Sequence, residues 1–380
     1  MSYLVQEIAA EVIRSTSREK PADAALREVL KQTRNLAPFD ATEVSKTVFL
    51  YYRWHGWLRD ERGGVEGKMR LALRLADRFR ANPASIPLAE LRAKGVPAWT
   101  VEQMEVSDDW LRSLQREPKL WLRVKRGQAA VMLDKLPGTH VSPTFPEALV
   151  YEGETDLFKT PEFQAGEFEI QDISSQAVGV LCDPKPGETW WDACAGEGGK
   201  LLHLSDFMQN KGLIWASDRA AWRLQKLKRR TARAKAFNYR AALWDGGAKL
   251  PTKTKFDGVL VDAPCSGVGT WQRNPHARWT TTAEDVKELA EVQKRLLRSV
   301  AGSVKPGGKL IYSVCTLTRA ETSGVVEDFN RAQAEFEPLV LSPPRAREEQ
   351  SPLASVALTL WPMDFGGNGM FIAGWRRKKN

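Results

Sequence analysis

Apolar residues recur at helical spacing from the start of the chain. Leu4, Val5, Ile8, Ala9 and Val12 fall on one face of a helix. Further helices are predicted over residues 22–31 and 41–58, and one more carries Met69, Leu71, Leu73, Leu75 and Phe79. Pro21, Pro38, Gly63-Gly64 and Pro83 separate them. This pattern predicts an all-helical domain over residues 1–95, with its Leu, Val and Trp stripes as core. Pro97 opens a different stretch. Leu120-Trp121-Leu122-Arg123-Val124 reads as a strand among Pro and Gly turns, so residues 96–166 are expected to form a small α+β module.

From residue 167 to 380 strands and helices alternate, the pattern of an α/β, doubly wound, Rossmann-like sheet. The predicted strands are 189–192, 213–217, 237–240, 258–262 and 309–314. A helix with Val286, Leu289, Leu296, Leu297 and Val300 on one face separates the last two, with Thr281 and Glu284 as its capping box. Lys305-Pro306-Gly307-Gly308 is expected to make a tight turn, and residues 370–375 to add a closing antiparallel strand at the sheet edge. The Pro- and charge-rich stretch 342–355 reads as a loop.

Composition narrows this picture. Hydrophobic residues make up 42% and charged residues 27% of the 380, as in ordinary globular proteins. No apolar run approaches the ~20 residues of a membrane span. The amino terminus lacks the pattern of a secretory signal, so the expected compartment is the cytoplasm. A net charge of +9 points toward a polyanionic partner. The four cysteines (182, 194, 265, 315) form no C-x-x-C pair and only four histidines accompany them, which argues against a metal site and against a disulfide framework. A monomer is expected.

The loop Asp192-Ala193-Cys194-Ala195-Gly196-Glu197-Gly198-Gly199-Lys200 follows the first strand of the alternating region. Its glycines let the backbone approach a ligand at a helix amino terminus. Glu197 would repel a pyrophosphate, whereas the sulfonium of S-adenosylmethionine tolerates it. Asp218 ends the second strand, where an acid holds a ribose diol or caps the next helix. Asp245 follows the third, as an adenine contact or a turn residue.

Two further strands run into cysteines, at Val261-Asp262-Ala263-Pro264-Cys265-Ser266-Gly267 and Tyr312-Ser313-Val314-Cys315-Thr316. Buried strands that end in a potential nucleophile place it at the ligand edge of an open sheet. A thiolate there can add to an electron-poor ring. Carbon 6 of cytosine is one such position, and the addition makes carbon 5 nucleophilic. Asp262 could meet the ring nitrogen, and Lys200 could assist electrostatically. Cys182 and Cys194 read as buried structural thiols.

With these motifs the chain resembles the Sun/Nop family of RNA cytosine-5 methyltransferases. Gln171 to Gln176, Asp192 to Lys200, Asp262-Ala263-Pro264-Cys265-Ser266-Gly267, Arg273-Asn274-Pro275 with Trp279, and Tyr312 to Thr316 all resemble family motifs. The resemblance implies that Cys315 is the nucleophile and that Cys265 assists release of the methylated base. It implies that Cys194, Ala195, Gly196, Glu197, Gly198, Gly199 and Lys200, with Asp218, Asp245 and Asp262, hold S-adenosylmethionine. It further implies an RNA-recognition-like module before residue 167, and a NusB-like RNA-binding domain over 1–95. That helical domain favours 16S ribosomal RNA over transfer RNA as substrate. Three positions depart from the family pattern: Gly196-Glu197 stand for Ala-Pro, Val314 for Thr, and Thr322 for Asn.

Candidate RNA contacts are the run Lys226, Lys228, Arg229, Arg230, Arg233 and Lys235, the tail Arg376-Arg377-Lys378-Lys379, and Arg123 with Lys125. Alternative readings are a transfer RNA enzyme, a DNA cytosine-5 methyltransferase using Cys265, and a non-catalytic RNA-binding assembly factor.

Overall fold

The structure is a computed structural model that describes residues 2–341 and 356–379. The loop expected over 342–355 lies outside the described residues. Contacts group the chain into two units, Met1–Pro118 with Gly267–Asp285, and Lys119–Ser266 with Val286–Asn380.

The first unit is helical. Its longer helices are Tyr3–Ser15, Ala22–Gln32, Pro38–Arg53 and Val65–Ala81. Ser2 caps the first, accepting from the Val5 amide. The third starts three residues earlier than the periodicity predicts, because Pro38 takes the first helical position, where a missing N–H costs nothing. Val5, Ile8, Val12, Val44, Val48, Trp54, Met69 and Phe79 are buried, while Leu71 and Leu73 are half-exposed because a spacing of two turns them around the helix. After Leu88–Lys94, helical structure runs on past residue 95, through Thr100–Gln103 and Asp108–Ser113. Arg278, fully buried, donates to the carbonyls of Arg53, Gly95, Leu114 and Trp271 and so ties four segments of this unit together.

The second unit holds two sheets. The smaller is antiparallel and comprises β1 (Leu120–Val124), β2 (Thr139–Val141), β3 (Ala148–Tyr151) and β4 (Phe168–Ile170), in the order β2-β3-β1-β4. The larger contains β5 (Thr189–Asp192), β6 (Leu213–Asp218), β7 (Tyr239–Leu243), β8 (Phe256–Asp262), β9 (Val304–Val314), β10 (Phe336–Pro338), β11 (Ala357–Leu360) and β12 (Met370–Arg377). Its path is β10-β12-β9-β8-β5-β6-β7, with β11 paired to β12. The five strands from β5 to β9 run parallel, and β12 returns antiparallel to β9.

Both faces of this sheet are covered, as a parallel sheet requires. Trp190, Leu260, Ile311 and Ile372 point to one face, against Ile173, Val178, Leu201 and Leu227. Trp191, Val259, Val261, Leu310 and Tyr312 point to the other, against Leu296, Leu297 and Val300. Gly258 lies opposite Trp190 in register, and a Cβ there would come within 2.3 Å of the indole.

Four local expectations are corrected. The strand expected over 237–240 is Tyr239–Leu243, since Phe237 is exposed and its N–H is taken by the Asn210 side chain. Lys305 to Gly308 make no turn but an irregularity inside β9, where the register to β8 shifts between Phe256 and Gly258. The capping pair of helix Ala283–Ala301 is Thr282 with Asp285, one residue beyond the expected one. The carboxyl-terminal strand is antiparallel as expected, but β10 and β11, too short to stand out in the pattern, lie outside it.

Candidate active site

β8 and β9 are neighbours, and Asp262 pairs with Ser313 at their carboxyl ends. Each strand then breaks into a loop that carries a cysteine, so the two sulfurs meet. Cys265 Sγ and Cys315 Sγ are 3.3 Å apart, and both residues are partly exposed. Neither belongs to a disulfide. Beside them Lys200 Nζ donates to Asp262 Oδ2 at 2.7 Å, and Ser313 Oγ donates to Asp262 Oδ1 at 2.7 Å. Burial alone would lower the Lys200 ammonium. Asp262, Cys315 and Asp192 outweigh it and hold its pKa above the ordinary lysine value. Lys200 is therefore held as a cation, paired with Asp262.

The other two cysteines differ in kind. Cys182 is fully buried, and burial pushes the thiols of both Cys182 and Cys194 far above their usual value. Neither supplies a thiolate near neutral pH.

The loop 193–199 connects β5 to the helix Gly199–Phe207. Gly196 and Gly198 sit at φ of +53° and +87°, conformations that favour glycine. Asp218, at the end of β6, accepts from the amides of Gly196 and Ala220 and braces this loop. Glu197 turns outward to Lys226 Nζ at 2.7 Å. Asp245 is exposed and accepts from the Gly247 amide, the turn arrangement among its two readings. The departures from the family pattern fit without a clash. A Cβ on Gly196 would meet nothing within 4 Å, Val314 is buried in the sheet, and Thr322 Oγ1 donates to the Thr318 carbonyl.

Two acidic residues matter more than the sequence reading suggested. Asp192 ends β5 with both carboxylate oxygens buried and without a hydrogen-bond partner. Burial, then the neighbouring Asp262, raise its pKa to about 7. Glu321 is fully buried and accepts from the Ser266 amide, Gln293 Nε2 and the hydroxyls of Ser266, Thr316 and Thr318. The signal in the sequence was the hydroxyl residue directly after each cysteine, Ser266 and Thr316.

This pocket fits S-adenosylmethionine. Asp192, Asp218 and Asp262 line the carboxyl ends of three adjacent strands, and the unpartnered carboxylate of Asp192 suits a cationic ligand better than a phosphate.

Four of the candidate RNA contacts are engaged within the protein: Arg123, Lys125, Arg230 and Arg233. Arg123 is buried, with its Nε on Gln171 Oε1 and Nη1 at 3.7 Å from Asp206. Arg230 and Arg233 both bind the buried Glu169. Lys125 donates to the Ala234 carbonyl. On the same helix, Ala221–Ala234, Lys228 and Arg229 remain exposed. Trp222, passed over in the sequence, is 53% exposed and has Arg223 and Lys226 over its ring at 5.3 and 4.9 Å. Among the described residues there is no metal-ligating cluster and no helix long and apolar enough to cross a membrane.

Known proteins resemble this chain in sequence and fold. A probable ribosomal RNA small subunit methyltransferase B of Bacillus subtilis is 34% identical over 298 residues, covering 74% of this chain and 66% of the relative. Another of the same description, from Synechocystis, is 33% identical over 301 residues with the same coverage. The match thus spans just under two thirds of these relatives' length. The crystal structure of PH0851 has the same fold, with a TM-score of 0.82 at 24% identity, over 99% of this chain and 100% of that one. The sequence profile described as "16S rRNA methyltransferase RsmB/F" matches residues 179–376, more than half of the chain and every strand of the larger sheet. Profile, relatives and the cysteine-bearing strand ends agree, and the chain belongs to the RsmB/F family of 16S rRNA methyltransferases.

Proposed function

We propose that this protein transfers a methyl group from S-adenosylmethionine to carbon 5 of a cytosine in small-subunit ribosomal RNA, through a transient bond to Cys315. The observation that carries the reading is the pair of sulfurs 3.3 Å apart at the ends of adjacent strands, with the Lys200–Asp262 pair beside them. The cofactor, when bound, supplies an electrophilic methyl carbon. Gly196, Gly198 and Asp218 form the backbone cradle for it, and Asp192 and Asp262 face its positive charge.

Lys200 stabilises the Cys315 thiolate. The thiolate adds to carbon 6 of the extruded base, and the electrons of the 5,6 double bond move to carbon 5. Asp262, oriented by Lys200 and Ser313, carries the proton that the ring nitrogen takes up as charge develops there and that returns when the adduct collapses. Carbon 5 then takes the methyl as its bond to the sulfonium sulfur breaks, leaving the neutral thioether S-adenosylhomocysteine. Transfer of its proton to a base, the role proposed for the Cys265 sulfur, restores the double bond and expels the Cys315 sulfur as a thiolate. In this reading residues 1–95 and 96–166 serve as the RNA-binding and RNA-recognition-like modules, and 167–380 as the catalytic part. Trp222, Lys228 and Arg229 offer RNA a stacking surface flanked by charge.

Cys265→Ala should strand the protein on labelled ribosomal RNA as a band that survives a denaturing gel, and Cys315→Ala should abolish that band. Bisulfite sequencing of RNA from a deletion strain should show one 5-methylcytosine lost from 16S ribosomal RNA. No band with Cys265→Ala and no lost site would refute the proposal, and loss from transfer RNA alone would redirect it.

A further inference from the structure

We infer that Glu321 is a positioning residue that sets the two cysteines against each other. The inference rests on the roles proposed for Cys315 and Cys265. One carboxylate oxygen, Oε2, accepts from the hydroxyls of Ser266 and Thr316, the residues immediately after Cys265 and Cys315. Thr318 Oγ1 donates to the same oxygen at 2.8 Å. The other oxygen, Oε1, accepts from the Ser266 amide at 2.8 Å and from Gln293 Nε2 at 3.0 Å. Gln293 Nε2 also donates to the Pro264 carbonyl at 2.9 Å, so the residues on both sides of Cys265 are held. Tyr312 completes the frame, its hydroxyl within 2.7 Å of the Glu321 carbonyl and 2.9 Å of Gln293 Oε1.

Glu321, Gln293 and Tyr312 are fully buried. None of them meets the substrate, so their effect passes through the cysteines. The last backbone bond from the end of β8 to β9 is that of the Ala263 amide to the Ser313 carbonyl, at 3.0 Å, and the two loops run on beyond it. There Glu321 offers one acceptor shared between them. Five donors converge on this one buried carboxylate. The two hydroxyls also meet each other, Ser266 Oγ and Thr316 Oγ1 lying 2.9 Å apart, yet each belongs to the residue after a different cysteine. Thr316 ties down the attacking sulfur, and Ser266 ties down the sulfur that assists release.

The test measures the two steps apart by single-turnover kinetics with 16S ribosomal RNA. Adduct formation is read in a Cys265→Ala background and product release in the intact chain. A displacement of about 1 Å costs roughly 100-fold in rate, so Glu321→Gln is expected to slow both steps by about that factor. Thr316→Val should slow adduct formation roughly tenfold, and Ser266→Ala should slow release and make adduct accumulate with Cys265 present. S-adenosylmethionine affinity by calorimetry should stay within about threefold in all three, since Glu321 lies away from the cofactor loop. Should Glu321→Gln fail to fold, the Thr316 and Ser266 variants still decide. The inference is overturned if those two slow the same step, or neither. If Cys265→Ala alone forms no adduct, the proposed function fails instead.

Discussion

The buried carboxyl of Asp192 makes the stability of this protein depend on pH in a direction opposite to that of most acidic residues. Its pKa rises from 3.8 to about 7 in the folded chain, chiefly through burial and then through the nearby Asp262. The folded state therefore holds a proton that the unfolded chain has given up. Below about pH 4 both states are protonated and nothing is lost. As the pH rises to about 7, ionisation favours the unfolded chain and stability falls. By pH 8 the loss approaches about 4 kcal/mol, an order-of-magnitude figure from 1.36 kcal/mol for each tenfold change in proton affinity. Asp192→Asn keeps the shape and stays neutral. Urea unfolding of both proteins without cofactor, at pH values from about 4.5 to 8, isolates the effect as a difference. The variant should gain on the parent steadily across that window and be more stable at its alkaline end. A flat difference, or a less stable variant at pH 8, would refute the reasoning.

Other consequences follow from packing and charge. Gly258→Ala drives a methyl into the fully buried Trp190 ring and should cost about 1–3 kcal/mol in urea unfolding; an unchanged midpoint would mean that β5 and β8 shift freely. Arg278→Met leaves four carbonyls of the helical unit without their donor. It should lower stability by about 3 kcal/mol or more, and no change in thermal melting would contradict the assigned role. The double substitution Lys228→Ala with Arg229→Ala should weaken RNA binding in filter assays and reduce the salt slope by about 2. Arg230→Ala and Arg233→Ala should instead lower stability, because they leave Glu169 buried and unpaired.

Much of the catalytic unit was legible along the chain. Strand β5 matched its predicted bounds, and β6 and β8 extended theirs by one or two residues. These are near-continuous apolar runs that end in Asp or Cys, and a doubly covered parallel sheet demands such runs. The motif chemistry at their ends was legible for the same reason, since a loop that follows a strand must emerge at the sheet's carboxyl edge. The basic run of helix Ala221–Ala234 was less so. Charge alone did not distinguish Lys228 and Arg229, which face solvent, from Arg230 and Arg233, which close on Glu169.

By itself, then, the sequence determined the central strands β5, β6 and β8, the acids at their tips, and that two cysteines share an edge. Only the tertiary structure decided that their sulfurs lie 3.3 Å apart, that Glu321 binds the neighbour of each, and that Asp192 is left buried without a partner. Periodicity and motif spacing report local geometry. Burial and shared hydrogen bonds depend on segments 50 or more residues away, such as Ser266 with Glu321 and Lys200 with Asp262, and such pairs exist only once the sheet has set its strand order.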